Sequence, residues 1–164
     1  MTTKKGTIKA SATVLSELIQ PSQGNPAGTA HGGELLKMMD NCAGVCAQKH
    51  VRAIVVTAGI DNVSFHAPIH IGNQAICSAN ITYASKNSLE VAVTITSEDL
   101  FTGEQECCMT AYFIFCAIDE SMKTLEIPPI ILENDSERML FEEGRKRAEL
   151  RKQQPRLCWL PLYK

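Results

Sequence analysis

Apolar positions recur with two different periods along this chain. From His31 to His50 they return every three or four residues. On a wheel turned by about 100° per residue, Leu35, Leu36, Met39, Cys42, Ala43, Cys46 and Ala47 fall in one arc, and Glu34, Lys37, Asn41 and Gln48 fall in the opposite one. The segment is rich in Leu, Met, Ala and Lys and lacks a β-branched run. It predicts one long helix, ended by Val51-Arg52-Ala53. After it the period falls towards two, and residues 54–65, 74–84, 88–97 and 106–118 read as strands. In the third of these, Leu89, Val91, Val93 and Ile95 share one face, while Glu90, Thr94 and Thr96 share the other. Ser85-Lys86-Asn87 and Thr102-Gly103 mark hairpin connections, and Pro68 with Gly72-Asn73 marks a turn region.

Ahead of the helix, residues 7–15 predict a first strand, and a loop of turn formers follows over 21–28. Beyond Pro128-Pro129, residues 134–153 predict a charged helix capped by Ser136 or Asp135. The stretch 155–164 is apolar, contains Trp159, and is expected to pack on the body or on a partner chain. A strand, one apolar helix and four consecutive antiparallel strands predict an α+β fold, with a curved sheet curling round a central helix. The organisation is a body over 1–133 and a C-terminal helix and tail over 134–164.

The 164 residues make one ordinary domain, and 45% hydrophobic with 21% charged residues is a globular balance. A net charge of -2 supplies no field for nucleic acid or an anionic membrane, so neither partner is expected. No apolar run is long enough to span a bilayer, and the N-terminal stretch reads as mature chain. Of the seven cysteines, Cys42, Cys46, Cys77 and Cys116 sit in apolar segments, and adjacent Cys107 and Cys108 point to opposite faces of a strand. That usage suits a reducing cytoplasm. No CxxC pair suggests zinc, so no metal is expected.

Asp40 lies at the margin of the apolar arc, with Gly33 and Gly44 beside it. It reads either as a boundary residue or as a half-buried carboxylate with room for a ligand against the helix. His31-Gly32-Gly33 opens the helix, where backbone N–H groups lack internal partners and the helix dipole is positive. Glycines there permit close approach of an oxyanion, or serve only a tight turn. His66 and His70, around Ala67-Pro68-Ile69, read as turn residues. Ser11, Ser22 and Ser88 lack the setting of a serine nucleophile. Arg145, Lys146, Arg147, Arg151 and Lys152 alternate with Glu142, Glu143 and Glu149, as on a solvated helix.

The segments from Asn25 to Gly33, from Leu35 to Asp40, Ala43-Gly44 and His50 together resemble the hotdog-fold acyl-CoA thioesterases. The likeness is greatest to the cytosolic long-chain acyl-CoA hydrolases and the bacterial YciA-type enzymes. It continues through Val55-Val56-Thr57, Asp61 to Phe65, Pro68, Gly72, Lys86 to Val91, Phe113 to Asp119 and Phe141 to Arg145, roughly residues 8–153. The resemblance implies a central helix wrapped by an antiparallel sheet. It also implies a homodimer, assembled further as a trimer of dimers, with active sites where two hotdogs meet. It implies hydrolysis of fatty acyl-CoA, with Asp40 as general base (less readily as nucleophile) and Asn25 contributed by the facing subunit. Gly32, Gly33 and His31 would border the thioester oxygen, and Ser85, Lys86, Asn87 and Ser88, with Arg145 and Arg147, would meet the CoA portion. No cofactor is implied, since coenzyme A belongs to the substrate. The family carries an arginine just before its Val-Val-Thr strand; this chain has Ile54 there and Arg52 two residues earlier. The alternative from another class is a non-catalytic acyl-CoA sensor or carrier of the same fold.

Overall fold

A computed structural model describes residues 6–153; the apolar tail with Trp159 lies outside the described residues. Strand β1 (Gly6–Thr7) leads into a short helix α1 (Ile8–Ser11) and strand β2 (Thr13–Leu18). The expected first strand over 7–15 therefore forms only from Thr13. Thr7 Oγ1 accepts from the Ala10 N–H and the Ser11 hydroxyl donates back to Thr7 O, so local side-chain bonds turn the chain into a helical turn instead.

Helix α2 (Gly32–Val51) is the core of the fold. The His31 imidazole caps it, with Nδ1 accepting from the Gly33 N–H at 3.0 Å. At the other end Lys49 and His50 face the negative pole of the helix dipole, and Arg52 leaves the helix in the left-handed region at φ 59°. Leu35, Met38, Met39, Cys42, Ala43, Cys46, Ala47 and His50 are buried. The buried stripe is thus one row wider than the wheel predicts, taking in Met38 and His50, while Leu36 stays half-buried. The His50 Nε2 lies 2.8 Å from Pro128 O, a pairing that satisfies one end of a buried ring.

Strands β3 (Ile54–Phe65), β4 (Gln74–Ala84), β5 (Leu89–Glu98) and β6 (Gln105–Ile118) join β2 in one antiparallel sheet of order β2-β4-β5-β6-β3. Its inner face meets α2. Leu89, Val91, Val93 and Ile95 are all at most 1% exposed and pack with Ile81, Met109 and Phe113. Each such side chain contributes roughly 1.5–3 kcal/mol of burial free energy. Strand β3 forms an edge and is bulged between Thr57 and Gly59 and again between Asp61 and Ser64. Strand β7 (Ile130–Ile131) pairs in parallel with β1.

Helix α3 (Asp135–Gln153) lies on the outer face of the sheet, over β4. Its cap is Asn134, whose Oδ1 accepts from the Glu137 N–H, rather than the expected Ser136 or Asp135. Gly144 allows the close approach: a Cβ there would come within 2.6 Å of Tyr83 Cβ and 3.0 Å of Glu90 Oε1. Among the described residues, no helix is long and apolar enough to cross a membrane.

Candidate active site

Asp40 projects from the middle of α2 towards β3, half-buried, where Thr57 Oγ1 donates to Asp40 Oδ1 at 2.7 Å. A hydroxyl aimed at an ionised carboxylate makes a short, charge-assisted bond that fixes one oxygen and leaves the other free. The pair lines a cleft of about 250 Å³ with Asn41, Gly44, Val45, Gln48, Ile54, Val55 and Phe115. Gly44 contributes open space, since a Cβ there would meet Phe115 only at 4.0 Å. Gly33 does not line this cleft; a Cβ there would press on the capping His31 ring instead. Thr57 belongs to the Val-Val-Thr stretch of the resemblance but is given no role by the sequence, and its bond to Asp40 emerges only once β3 is placed beside α2.

The helix entrance forms a second cleft, of about 450 Å³, lined by Asn25, Thr29, Ala30, Gly32, Leu35, Phe65, His66, Ala67, Pro68 and Ile69. Gly32 lies under the Phe65 ring, with 3.1 Å from its would-be Cβ to Phe65 Cε1. The Gly33 N–H is taken by His31, whereas the Gly32 N–H has no protein partner among the described residues. Asn25 Nδ2 donates to Thr29 Oγ1 at 3.0 Å and Ala30 O at 3.4 Å. Its Oδ1 accepts from the Ala27 N–H at 2.9 Å and the Thr29 N–H at 3.3 Å. Asn25 is thereby held rigidly in an Asx-type turn. Within one chain, Asn25 and Asp40 line separate clefts.

The residues expected to meet a nucleotide are also divided. Ser85 and Ser88 border a third cleft, of about 600 Å³, between β3 and α3, with Gly59, Asp61, Cys116, Ala148, Arg151 and Lys152. Their hydroxyls lie 2.8 Å apart. Lys86 and Asn87 are exposed at the hairpin tip and do not line it. Arg145 pairs along its own helix with Glu142 and Glu149. Arg147 turns inward: its Nη2 donates to Glu90 Oε1 at 2.8 Å and its guanidinium lies 4.0 Å from the centroid of the Tyr112 ring. Burial works against that charge, but the Glu90 hydrogen bond and charge outweigh it and hold Arg147 above its ordinary value.

Glu90, read from the sequence as the polar face of a strand, is 1% exposed. It accepts from Arg147, from Arg151 Nη1 at 2.7 Å and from Thr82 Oγ1 at 2.8 Å. Arg151 Nη1 also reaches Asp61 Oδ2 at 3.2 Å.

A helix-centred sheet with a carboxylate cleft against the helix is the hotdog architecture of the thioesterase superfamily, which matches residues 27–102. The Bacillus subtilis protein named uncharacterized acyl-CoA thioester hydrolase YkhA is 32% identical over 148 residues, covering 90% of this chain and 86% of that one. An apo-hexameric acyl-CoA thioesterase superposes with a TM-score of 0.89 at 31% identity, over 94% of this chain and 99% of that one. The acyl-CoA hydrolase of Staphylococcus aureus, in complex with butyryl coenzyme A, coenzyme A and coenzyme A disulfide, superposes with a TM-score of 0.83 at 31% identity over 91% of each chain. Alanine variants of an aspartate, an asparagine and a threonine of that enzyme have also been solved. The chain belongs to the acyl-CoA thioester hydrolases of this superfamily. It spans 38% of the length of the mammalian cytosolic acyl coenzyme A thioester hydrolases that it matches.

Proposed function

We propose that this protein hydrolyses fatty acyl-CoA to the free acid and coenzyme A in the cytoplasm, as a homodimer that assembles further into a hexamer. The observation that carries the reading is the half-buried Asp40 carboxylate, fixed by Thr57 and open to a cleft. In the S. aureus enzyme the asparagine, aspartate and threonine replaced by alanine have the same spacing as Asn25, Asp40 and Thr57.

Asp40 takes a proton from a water, and the oxygen attacks the thioester carbonyl. The negative charge that develops on the carbonyl oxygen meets the unpaired Gly32 N–H at the positive end of α2. The tetrahedral species then collapses and the CoA sulfur leaves as a thiolate. His31 serves the site by holding the Gly33 N–H and with it the geometry of the helix entrance. Asn25, rigid in its turn, faces the Asp40 cleft of the second subunit and positions the thioester there. The Ser85–Ser88 turn receives the CoA portion.

The dimer follows from β3. It is an unpaired edge of twelve residues on which Ile54, Val56, Ile60, Val63 and Phe65 are exposed. An edge of that length and polarity invites strand pairing. Two copies paired antiparallel about a two-fold axis near the middle of β3 set the Thr57 end of one strand beside the Phe65 end of the other. The Asp40 cleft of one protomer then adjoins the Asn25 cleft of its partner.

Purified protein is assayed with a series of acyl-CoA chain lengths and a thiol-reactive dye. Wild type is expected to turn over, and Asp40→Ala to lose about two to four orders of magnitude in kcat while keeping its melting temperature. Binding of acyl-CoA without turnover by the wild type would instead make the protein a sensor or carrier.

A further inference from the structure

We propose that Gly44 and Gln48 set the length of acyl chain that this protein recognises, and that its substrates are medium-chain rather than long-chain thioesters. The chain leaves the thioester at Asp40, passes Gly44, and reaches the end of its apolar path at Gln48. This rests on the reading of Asp40 as the base that acts on acyl-CoA, and adds to it the size of the acyl group.

The Asp40 cleft has a direction. Asp40, Gly44 and Gln48 are spaced by four, so they stand in one row on successive turns of α2, and all three line the cleft. Between the first and the last of them the walls are apolar. Phe115 is buried, and Val45 and Ile54 are 40% and 50% exposed. Gly44 keeps the path open, because even a Cβ there would stay 4.0 Å from Phe115 Cε1. Gln48 is exposed and carries an amide, and the lining of the cleft extends no further along the helix. Methylenes beyond Gln48 therefore meet water and gain no burial. Two measures of the path agree. Eight residues of helix span about 12 Å, which an extended alkyl chain covers with about nine carbons at roughly 1.3 Å of advance per bond. A methylene needs about the room of a water molecule in the liquid, roughly 30 Å³, so the cleft of about 250 Å³ holds about eight of them.

The test is a series of saturated thioesters from butyryl-CoA to palmitoyl-CoA, each below its micellar concentration. The CoA portion is common to all, so the series reads the acyl path alone. For the wild type, kcat/KM is expected to rise about fourfold per added methylene and to level off at about eight carbons. Gly44→Leu fills the open path with a better helix former, so Tm should not fall. The ratio of kcat/KM for octanoyl-CoA over butyryl-CoA is expected to drop at least about tenfold. Gln48→Leu changes an exposed position and keeps the test decisive if the first variant fails to fold. It extends the apolar path, so the ratio for dodecanoyl-CoA over octanoyl-CoA is expected to rise about fourfold or more. A wild-type kcat/KM that climbs unbroken to palmitoyl-CoA, or ratios that stay put in both variants, overturns the proposal. Binding of the same thioesters is followed by titration calorimetry in parallel. If the wild type hydrolyses none of them yet its affinity levels off at the same length, the acyl path stands and the catalytic reading alone falls.

Discussion

Removing the charge of Glu90 is the sharpest perturbation of this fold. The carboxylate is 1% exposed and accepts from two guanidiniums and one hydroxyl. The two arginines that meet it are 18% and 22% exposed. In Glu90→Gln the shape of the side chain survives, but two half-buried cations lose their shared counter-ion. Breaking a buried pair from one side costs roughly 3–5 kcal/mol, because the partner charge is left behind. Here Asp61 keeps a hold on Arg151, and the Tyr112 ring keeps a hold on Arg147, so the lower end applies: about 3 kcal/mol. For a chain of this size that lowers Tm by roughly 6–12 °C.

The assay is thermal unfolding at one fixed protein concentration, since assembly raises the apparent stability of an oligomer. A double-mutant cycle with Arg147→Gln isolates the pair. The double variant is expected to lose less than the sum of the single losses by at least about 1.5 kcal/mol, because Arg147 is then no longer left behind without its counter-ion. If Glu90→Gln melts within 2 °C of the wild type, on the order of the effect of an exposed pair, then Glu90 does not clamp α3 and the ion-pair geometry is incidental.

Two further outcomes follow from the same structure. Thr57→Val removes the hydrogen bond to Asp40 from an exposed position, so kcat for acyl-CoA should fall about 10–100-fold, in line with a charged hydrogen bond of roughly 1.5–3 kcal/mol, while Tm stays put; an unchanged kcat refutes the positioning role. Among the described cysteines Cys107 is exposed, whereas Cys46 is buried and its thiol is pushed up to about 12 by that burial. Mass spectrometry after iodoacetamide at pH 8 should therefore find Cys107 alkylated well before Cys46, and equal labelling would contradict the packing of α2 against the sheet.

The central helix and strands β4, β5 and β6 are legible in the sequence because each buries one face against the same core. A period of 3.6 or 2 is the direct imprint of that one-sided burial. Strand β3 matches its expected span of 54–65 through its β-branched and apolar composition instead, since it is an edge on which no residue is buried. The segment over 7–15 lacks such a constraint at its start. There Thr7 and Ser11 bond to nearby backbone and curl the chain before the sheet begins.

Glu90 and Thr57 escape a reading of the sequence for a related reason. Alternation assigns Glu90 to the outer face of β5, which is correct, but the covering element is a helix charged nearly all round. Helix α3 buries only Gly144 and Ala148 and reaches the sheet through long arginine side chains. A helix docked by small residues and shared charge leaves no apolar stripe to announce it. The pairing of Glu90 with Arg147 joins positions 57 apart, and that of Asp40 with Thr57 joins 17, and no local period encodes either. Asp40 itself could be suspected, since a carboxylate at the rim of an apolar arc beside glycine is locally odd. Its chemistry depends on a hydroxyl from another element and, on the reading proposed for β3, on a second copy of the chain. What pattern reveals here is where a side chain is buried; what the site does depends on which groups are buried together, and that is fixed only by the register of β3 against α2 and by the seat of α3 on Glu90.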